Sequence, residues 1–129
     1  MKRKMGTFYT ECTVVNNSRR DWKAEAEKVL VDTGSELTWI AEQTMKRIGI
    51  SPEKSGVLFE TADGRTVSRD VGFALVLVAG RFTIDEVVFA RPGDLQILGA
   101  RTLEGLNLAV DPARKRLVAA GPLPAAALA

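Results

Sequence analysis

The 129-residue sequence contains no histidine and only one cysteine, Cys12. The absence of histidine excludes the Ser-His and Cys-His pairs of many hydrolases and nearly all zinc-hydrolase ligand sets. A single cysteine cannot form an internal disulfide or a cysteine cluster for a metal, so Cys12 is expected to be a small buried hydrophobic residue. Carboxylates, hydroxyls and lysines remain as candidate catalytic groups, and no metal or other cofactor is predicted.

The sequence also lacks a marked excess of charge and any long apolar run. Its 18 basic and 16 acidic residues give a formal net charge of +2, which does not indicate a nucleic-acid partner. No apolar stretch approaches the length of a transmembrane helix, and the N-terminus has no apolar signal-peptide region. These absences predict a cytoplasmic protein with no membrane or nucleic-acid partner.

Alternating apolar and polar residues, interrupted by regular turn signals, predict an all-β barrel or sandwich with two short helices. The length allows one domain, predicted over residues 1–118, followed by an Ala/Pro-rich tail over residues 119–129 that is expected to be disordered. Strands are predicted at residues 7–15, 22–31, 37–40, 57–59, 66–67, 71–79, 82–90, 95–98, 108–110 and 117–118, and helices at 41–48 and 101–106.

The most informative stretch is Val31-Asp32-Thr33-Gly34-Ser35. An apolar strand ends at Asp32, and Gly34 allows the chain to turn sharply directly afterwards. A carboxylate that a rigid strand positions in a turn is suited to catalysis, so Asp32 is a candidate catalytic residue. The alternative interpretation is that Asp32 is an ordinary aspartate that closes an Asx-turn. Alternation along residues 22–31 places Asp32 on the face of Ala26 and Leu30, so its side chain is expected to point inward.

Further short motifs follow in order. Ala62-Asp63-Gly64-Arg65 lies between two strands, and Asp63-Gly64 is typical of a two-residue type I′ hairpin turn. A second apolar strand, Gln96-Ile97-Leu98, ends at Gly99 and precedes a helix. Leu103-Glu104 and Val110-Asp111-Pro112 complete the series.

This ordered series resembles the retropepsin-like aspartic proteases, the single-lobe family that includes the retroviral proteases, and especially its small prokaryotic members. The resemblance covers about residues 6–118 and implies a closed acid-protease barrel in a twofold homodimer. It implies that Asp32 is the catalytic carboxylate and that Thr33 hydrogen-bonds across the dimer axis. Ile97, Leu98 and Gly99 would form the loop behind the active-site turn.

The resemblance also implies a flap over the substrate, formed by the hairpin around Asp63, although turn formation alone would explain that residue. Thr33, Gly34 and Ser35 would support the active-site turn. The residues expected to contact substrate are Gly34, Glu36, Ala62, Asp63, Gly64, Ile97 and Leu98.

Three positions depart from the retroviral pattern. Ser35 replaces the usual alanine, and its hydroxyl either donates to the Asp32 carboxylate or stabilises the turn backbone. Glu36 stands where an acidic, substrate-contacting aspartate is usual. The arginine after the second glycine is displaced to Arg101, which leaves open whether it pairs with Glu36.

Peptide hydrolysis without metal or histidine requires one group to activate water and another to polarise the carbonyl. Two carboxylates about 3 Å apart can share a proton and do both. Because the chain supplies a single Asp-Thr-Gly, the sequence predicts a homodimeric aspartic endopeptidase that acts on peptides or proteins. The alternatives are a non-catalytic dimeric peptide-binding module with the same fold, which would not need the carboxylate, and a lone structural β domain.

Overall fold

The computed structural model describes residues 7–127, which form nine strands and two short helices. The mostly-β class with two short helices is therefore confirmed, and the two strands predicted at 66–67 and 71–79 form one continuous strand. In chain order the elements are β1 (Phe8–Val15), β2 (Lys23–Val31), β3 (Thr38–Ala41), α1 (Glu42–Arg47), β4 (Lys54–Glu60), β5 (Thr66–Val78), β6 (Arg81–Ala90), β7 (Ile97–Leu98), α2 (Ala100–Leu106), β8 (Leu108–Asp111) and β9 (Arg116–Ala119).

Seven of these strands form one sheet in the order β1-β2-β7-β3-β6-β5-β4, and β1 also pairs with β5. Strand β7 lies parallel to β2, with Leu30 opposite Ile97 and Val31 opposite Leu98. On its other side, β7 pairs with β3 through Trp39 and Ile97. Strand β7 is the second strand that ends at a glycine, and this pairing places its end beside the Asp-Thr-Gly turn.

The main hydrophobic core is formed by apolar side chains from most strands of this sheet and from both helices. Its fully buried members include Val14, Val29, Ile40, Met45 and Leu98. A second, smaller cluster contains Leu37, Val71 and Val88, with Trp39, Val57 and Phe59 packed against it. This smaller cluster attaches the β4–β5 hairpin to β3.

A β-bulge in β2 interrupts the alternation from which the orientation of Asp32 was predicted. Lys28 has a positive φ of 59°. The pairing with β1 shifts there, since Thr10 lies opposite Val29 whereas Cys12 lies opposite Ala26. The extra residue places Val29 and Val31 on the face of Ala26, so Leu30 does not share that face. The uninterrupted alternation on which the predicted orientation was based does not occur, and Asp32, beyond the end of β2, is partly buried.

The turn between β4 and β5 also differs from its prediction. A type I′ turn needs positive φ at both central residues, but in residues 61–65 only Gly64 has one, at 85°. Thr61 N donates to Arg65 O at 2.7 Å and Gly64 N to Thr61 O at 3.0 Å. These bonds form a longer loop that contains a tight turn closed by Gly64.

The C-terminal strands β8 and β9 form a separate two-stranded sheet. Strand β9 includes Ala119, and Asn107 Nδ2 donates to Gly121 O at 2.8 Å beyond it. The start predicted for the tail thus lies within a strand. Disorder of the remaining tail stays a prediction, and residues 128–129 lie outside the described residues.

Candidate active site

Asp32 directly follows the last residue of β2 and begins a tight turn. Its backbone N donates to Leu98 O at 3.1 Å, and its carbonyl accepts from Ser35 N at 3.1 Å. Its carboxylate Oδ1 accepts from Gly34 N at 2.9 Å. The side chain is partly buried, whereas Thr33 and Gly34 are exposed. The carboxylate is therefore oriented by its own turn while the turn itself faces outward.

The second glycine turn is fitted closely against the first. Ala100 N donates to Ser35 O at 2.8 Å and Arg101 N to Glu36 O at 3.0 Å, so the first residues of α2 bind the Asp32 turn through its backbone. A Cβ atom on Gly99 would lie 2.4 Å from Leu37 O. Only glycine permits this approach of the two backbones.

A buried chain of hydroxyl groups supports the same junction, and sequence analysis missed it. Gly99 N donates to Thr38 Oγ1 at 3.0 Å, Thr38 Oγ1 to Thr102 Oγ1 at 2.7 Å, and Thr102 Oγ1 to Asp85 Oδ2 at 3.1 Å. Thr38 and Thr102 are both 0% exposed. Threonine within the apolar run 37–40 was the available signal, because a buried hydroxyl needs a partner.

The Ser35 hydroxyl donates to Leu37 O at 2.8 Å. A serine hydroxyl has one hydrogen, so in this geometry it cannot also donate to Asp32. Of the two readings of Ser35, the hydrogen bonds favour stabilisation of the turn backbone and oppose donation to the carboxylate.

Glu36 does pair with Arg101, the point that the sequence left open. Arg101 Nη2 lies 3.4 Å from Glu36 Oε2, and its Nη1 lies 2.5 Å from Glu86 Oε2. Lys54 Nζ lies 2.5 Å from the other oxygen of Glu86, and its hydrogen bond is the largest cause of the lowered pKa of Glu86. Glu86 thus joins the start of β4 to α2, while the Glu36 carboxylate stays 78% exposed.

A family model described as aspartyl protease matches residues 23–100, more than half of the chain. The chain belongs to the aspartyl protease family. The matched segment contains the Asp32 turn, the hairpin and the second glycine turn. No match was found among curated proteins.

Comparison with a solved retroviral protease shows that this member of the family has a retropepsin-like fold. The EIAV protease, solved in complex with the inhibitor HBY-793, is similar with a TM-score of 0.51 and 18% identity, over 74% of this chain and 84% of that one. The simian foamy virus (mac) protease, solved in solution, gives a TM-score of 0.46 and 21% identity over 74% and 92% of the two chains. The resemblance inferred from the sequence is confirmed.

The other predicted site residues of this aspartyl protease family member lie in two places, beside the Asp32 turn and at the tip of the β4–β5 hairpin. Ile97 is half-buried beside the turn. Ala62, Asp63 and Gly64 are exposed at the tip of the β4–β5 hairpin, where Asp63 binds Thr61 and Arg65. The hydrogen bond from Thr61, foremost, lowers the pKa of Asp63. The hydrogen bonds that Asp63 makes with Thr61 and Arg65 lie within the hairpin, so they do not join its tip to Asp32.

Leu98 requires a correction. It is 0% exposed and belongs to the main core, so its side chain has no surface to offer a substrate. Its carbonyl instead accepts the Asp32 N–H. The predicted substrate contact of Leu98 is therefore wrong, whereas its position behind the active-site turn fits the role predicted for the loop.

An open groove of about 600 Å³ lies beside the Asp32 turn. Its walls are formed by α2, β8 and the end of β2, and they include the apolar residues Leu103, Leu108 and Val110.

None of the helices between residues 7 and 127 is long and apolar enough to cross a membrane. Over the same residues, no group of three or more acidic or cysteine side chains is placed to hold a metal ion.

Proposed function

We propose that the chain is an aspartic endopeptidase that acts as a homodimer on peptides or proteins. The observation that carries this proposal is the Asp32 turn, in which Gly34 N donates to a partly exposed carboxylate and the Asp32 backbone N–H donates to Leu98 O of β7. Family membership supports the reaction class. Asp32 is the catalytic residue of the proposal.

In the proposed reaction, Asp32 of each copy forms one half of a carboxylate pair that shares a single proton. The ionised carboxylate accepts a proton from water while the water oxygen bonds to the peptide carbon. The protonated carboxyl donates its proton to the carbonyl oxygen. When the tetrahedral intermediate collapses, the carboxyl that took the water proton donates it to the departing nitrogen, the C–N bond breaks, and a hydroxyl of the intermediate returns its proton to the other carboxylate, so the pair again holds one proton. The two groups titrate as a unit.

Several features support a second copy as the partner. Thr33 and Gly34 are exposed at the turn, where two chains would have to meet for their carboxylates to approach. The apolar groove beside this turn offers a surface that a second copy would cover. The pairing of β1 with β5, in addition to the sheet order, supports the closed barrel predicted from the sequence.

The remaining roles follow from position. Thr33 would hydrogen-bond across the dimer axis, and Ser35 would stabilise the turn through Leu37 O. Gly34, Glu36 and Ile97 would contact substrate at the turn. The exposed hairpin tip, Ala62, Asp63 and Gly64, would act as a flap.

The decisive experiment compares the wild-type protein with Asp32→Asn. Each is incubated with a mixed peptide pool from acidic to neutral pH, and mass spectrometry identifies the products. The asparagine keeps an Oδ1 that can accept from Gly34 N, so the fold should persist while cleavage falls at least about a hundredfold. A folded wild-type dimer that binds peptides without cleaving any would favour the binding module.

A further inference from the structure

A compact group of side chains binds the root of the β4–β5 hairpin, which we define as residues 57–60 and 66–69, to the rest of the protein. Phe59 packs edge-on against Trp39, with ring centroids 5.2 Å apart and an angle of 63° between the planes. The Arg69 guanidinium lies 6.0 Å from the centroid of the same Trp39 ring. Phe59 and Arg69 belong to neighbouring strands of the hairpin, so both strands contact one tryptophan of β3.

Arg69 also forms the best-defined ion pair in the described residues. Its Nε and Nη2 donate to the two oxygens of Asp94 at 2.7 and 2.8 Å. The two side chains are only 14% and 17% exposed. This two-point geometry fixes direction as well as distance, and partial burial protects it from screening by salt.

Asp94 is itself held in the loop between β6 and β7. Its Oδ2 accepts from Arg91 N at 2.8 Å, and its own N donates to Arg91 O at 2.9 Å. The loop continues into β7, whose Leu98 carbonyl binds Asp32 N. The hairpin root is thus connected through one ion pair to the strand that backs the candidate catalytic turn.

The hairpin tip has a different character. Thr61, Asp63 and Arg65 hydrogen-bond to one another, and the Arg65 and Asp63 side chains are 74% and 55% exposed. The hairpin therefore combines a root bound to two other parts of the protein with an exposed tip whose side chains bind one another.

We infer that Arg69 and Asp94 are positioning residues that fix the hairpin root against the β6–β7 loop and confine hairpin motion to residues 61–65. The inference rests on the proposed function only where it treats the hairpin as a substrate flap. Loss of the pair moves the hinge from the tip to the root, and the flap then closes on substrate with a less defined geometry.

Hydrogen exchange tests the inference without any activity measurement. Arg69→Met removes the charge and keeps a long side chain, Arg69→Lys keeps the charge without the two-point geometry, and Asp94→Asn keeps an acceptor for Arg91 N. The matched control is Arg20→Met, which removes an exposed arginine that binds Asn17 in the β1–β2 turn.

Arg69→Met and Asp94→Asn should each accelerate exchange of the ladder amides in residues 57–60 and 66–69 by at least about tenfold, and the double variant no further. Arg69→Lys should give a smaller acceleration, and Arg20→Met none. Root amides that exchange at the wild-type rate in Arg69→Met would overturn the inference. So would acceleration of the same size throughout β2 and β7, which would mean general destabilisation.

Activity provides the second measurement. With a peptide that the wild-type protein cleaves, Arg69→Met should raise KM several-fold and change kcat less than about twofold, because it alters closure on substrate and not the reacting groups. An unchanged KM would contradict the positioning role. If the wild-type protein cleaves no peptide, the proposed function fails, while the exchange measurements still decide the role of the ion pair.

Discussion

Gly99 shows how strongly single residues constrain the candidate active site. The space that an alanine Cβ would need is occupied by Leu37 O at 2.4 Å and by Ser35 O at 2.9 Å. Both obstacles are backbone atoms of the segment that follows Asp32, so neither can rotate away. The identity of residue 99 is therefore fixed by the contact between two turns.

Gly99→Ala should destabilise the protein by about 1–3 kcal/mol, the usual cost of forcing extra volume into a packed site, and should lower activity through displacement of the Asp32 turn. Urea unfolding measures the stability change. Gly64→Ala provides a comparison in stability, since nothing lies within 4 Å of its Cβ and only its φ of +85° is strained. A Gly99→Ala variant as stable as the wild type would contradict the tight fit.

Ser35→Ala separates the two roles considered for this hydroxyl. Loss of the bond to Leu37 O should lower the free energy of unfolding by about 0.5–1.5 kcal/mol. Because the hydroxyl does not donate to Asp32, the acidic limb of the pH–activity curve should superimpose on that of the wild type. An acidic limb displaced to higher pH would restore the alternative, in which Ser35 stabilises the ionised carboxylate.

At the scale of elements, local signals in the sequence predicted helix α1 and its end. Gly49 follows the helix with a φ of 77°, and Ile50 N donates to Met45 O at 3.0 Å, as expected for a glycine-terminated helix. The bulge at Lys28 could not be predicted in this way, because a lysine in an alternating strand carries no turn signal. One unpredicted residue was enough to move Leu30 off the face of Ala26.

Long-range contacts limited the prediction of the candidate site. The motif order identified Asp32 and the second glycine turn, but the threonine chain joins residues from three elements that no local pattern relates. The Arg69–Asp94 pair spans 25 positions and depends on how the hairpin folds back over β3. Such contacts follow from the tertiary arrangement and not from propensity or spacing.

The same ion pair predicts how stability depends on pH. The pKa of Asp94 lies below its ordinary value of 3.8, first because of the hydrogen bonds from Arg69 and then because of the hydrogen bond from Arg91 N. The charge of Glu42 also acts on Arg69. A lowered native pKa stabilises the fold above the ordinary value, and this contribution is lost as the pH falls through the lowered one.

Asp94→Asn should therefore cost about 1–3 kcal/mol of unfolding free energy at pH 5–7. The difference from the wild type should shrink as the pH falls below the ordinary 3.8, where the unfolded aspartate becomes protonated, and should be lost once the pH passes below the lowered native pKa. Urea unfolding at pH 7, 5 and 3 measures this difference. A gap that widens as the pH falls would have the wrong sign for this ion pair.

At the scale of the whole molecule, the groove beside Asp32 provides a test of dimerisation. Ala109 is half-buried in its lining, so Ala109→Arg would place a long charged side chain where the second copy is proposed to dock. The variant should raise the dimer dissociation constant at least about tenfold in sedimentation experiments and lower activity in parallel.

Ser18→Arg is the matched control for that variant, since Ser18 is exposed in the β1–β2 turn, and it should leave dimerisation unchanged. Circular dichroism verifies that both variants fold. A wild-type protein that remains a monomer at high concentration with full activity would refute the two-copy dyad.

The position of β7 between β2 and β3 has a consequence for how the protein is made. The Thr38 hydroxyl receives its bond from Gly99, 61 residues later in the chain. A polypeptide emerging from the ribosome therefore exposes the Asp-Thr-Gly segment long before the residues that hold it are synthesised. Since such distant pairings form late in folding, the proposed peptidase activity would be withheld from incomplete chains and from fragments that end before β7.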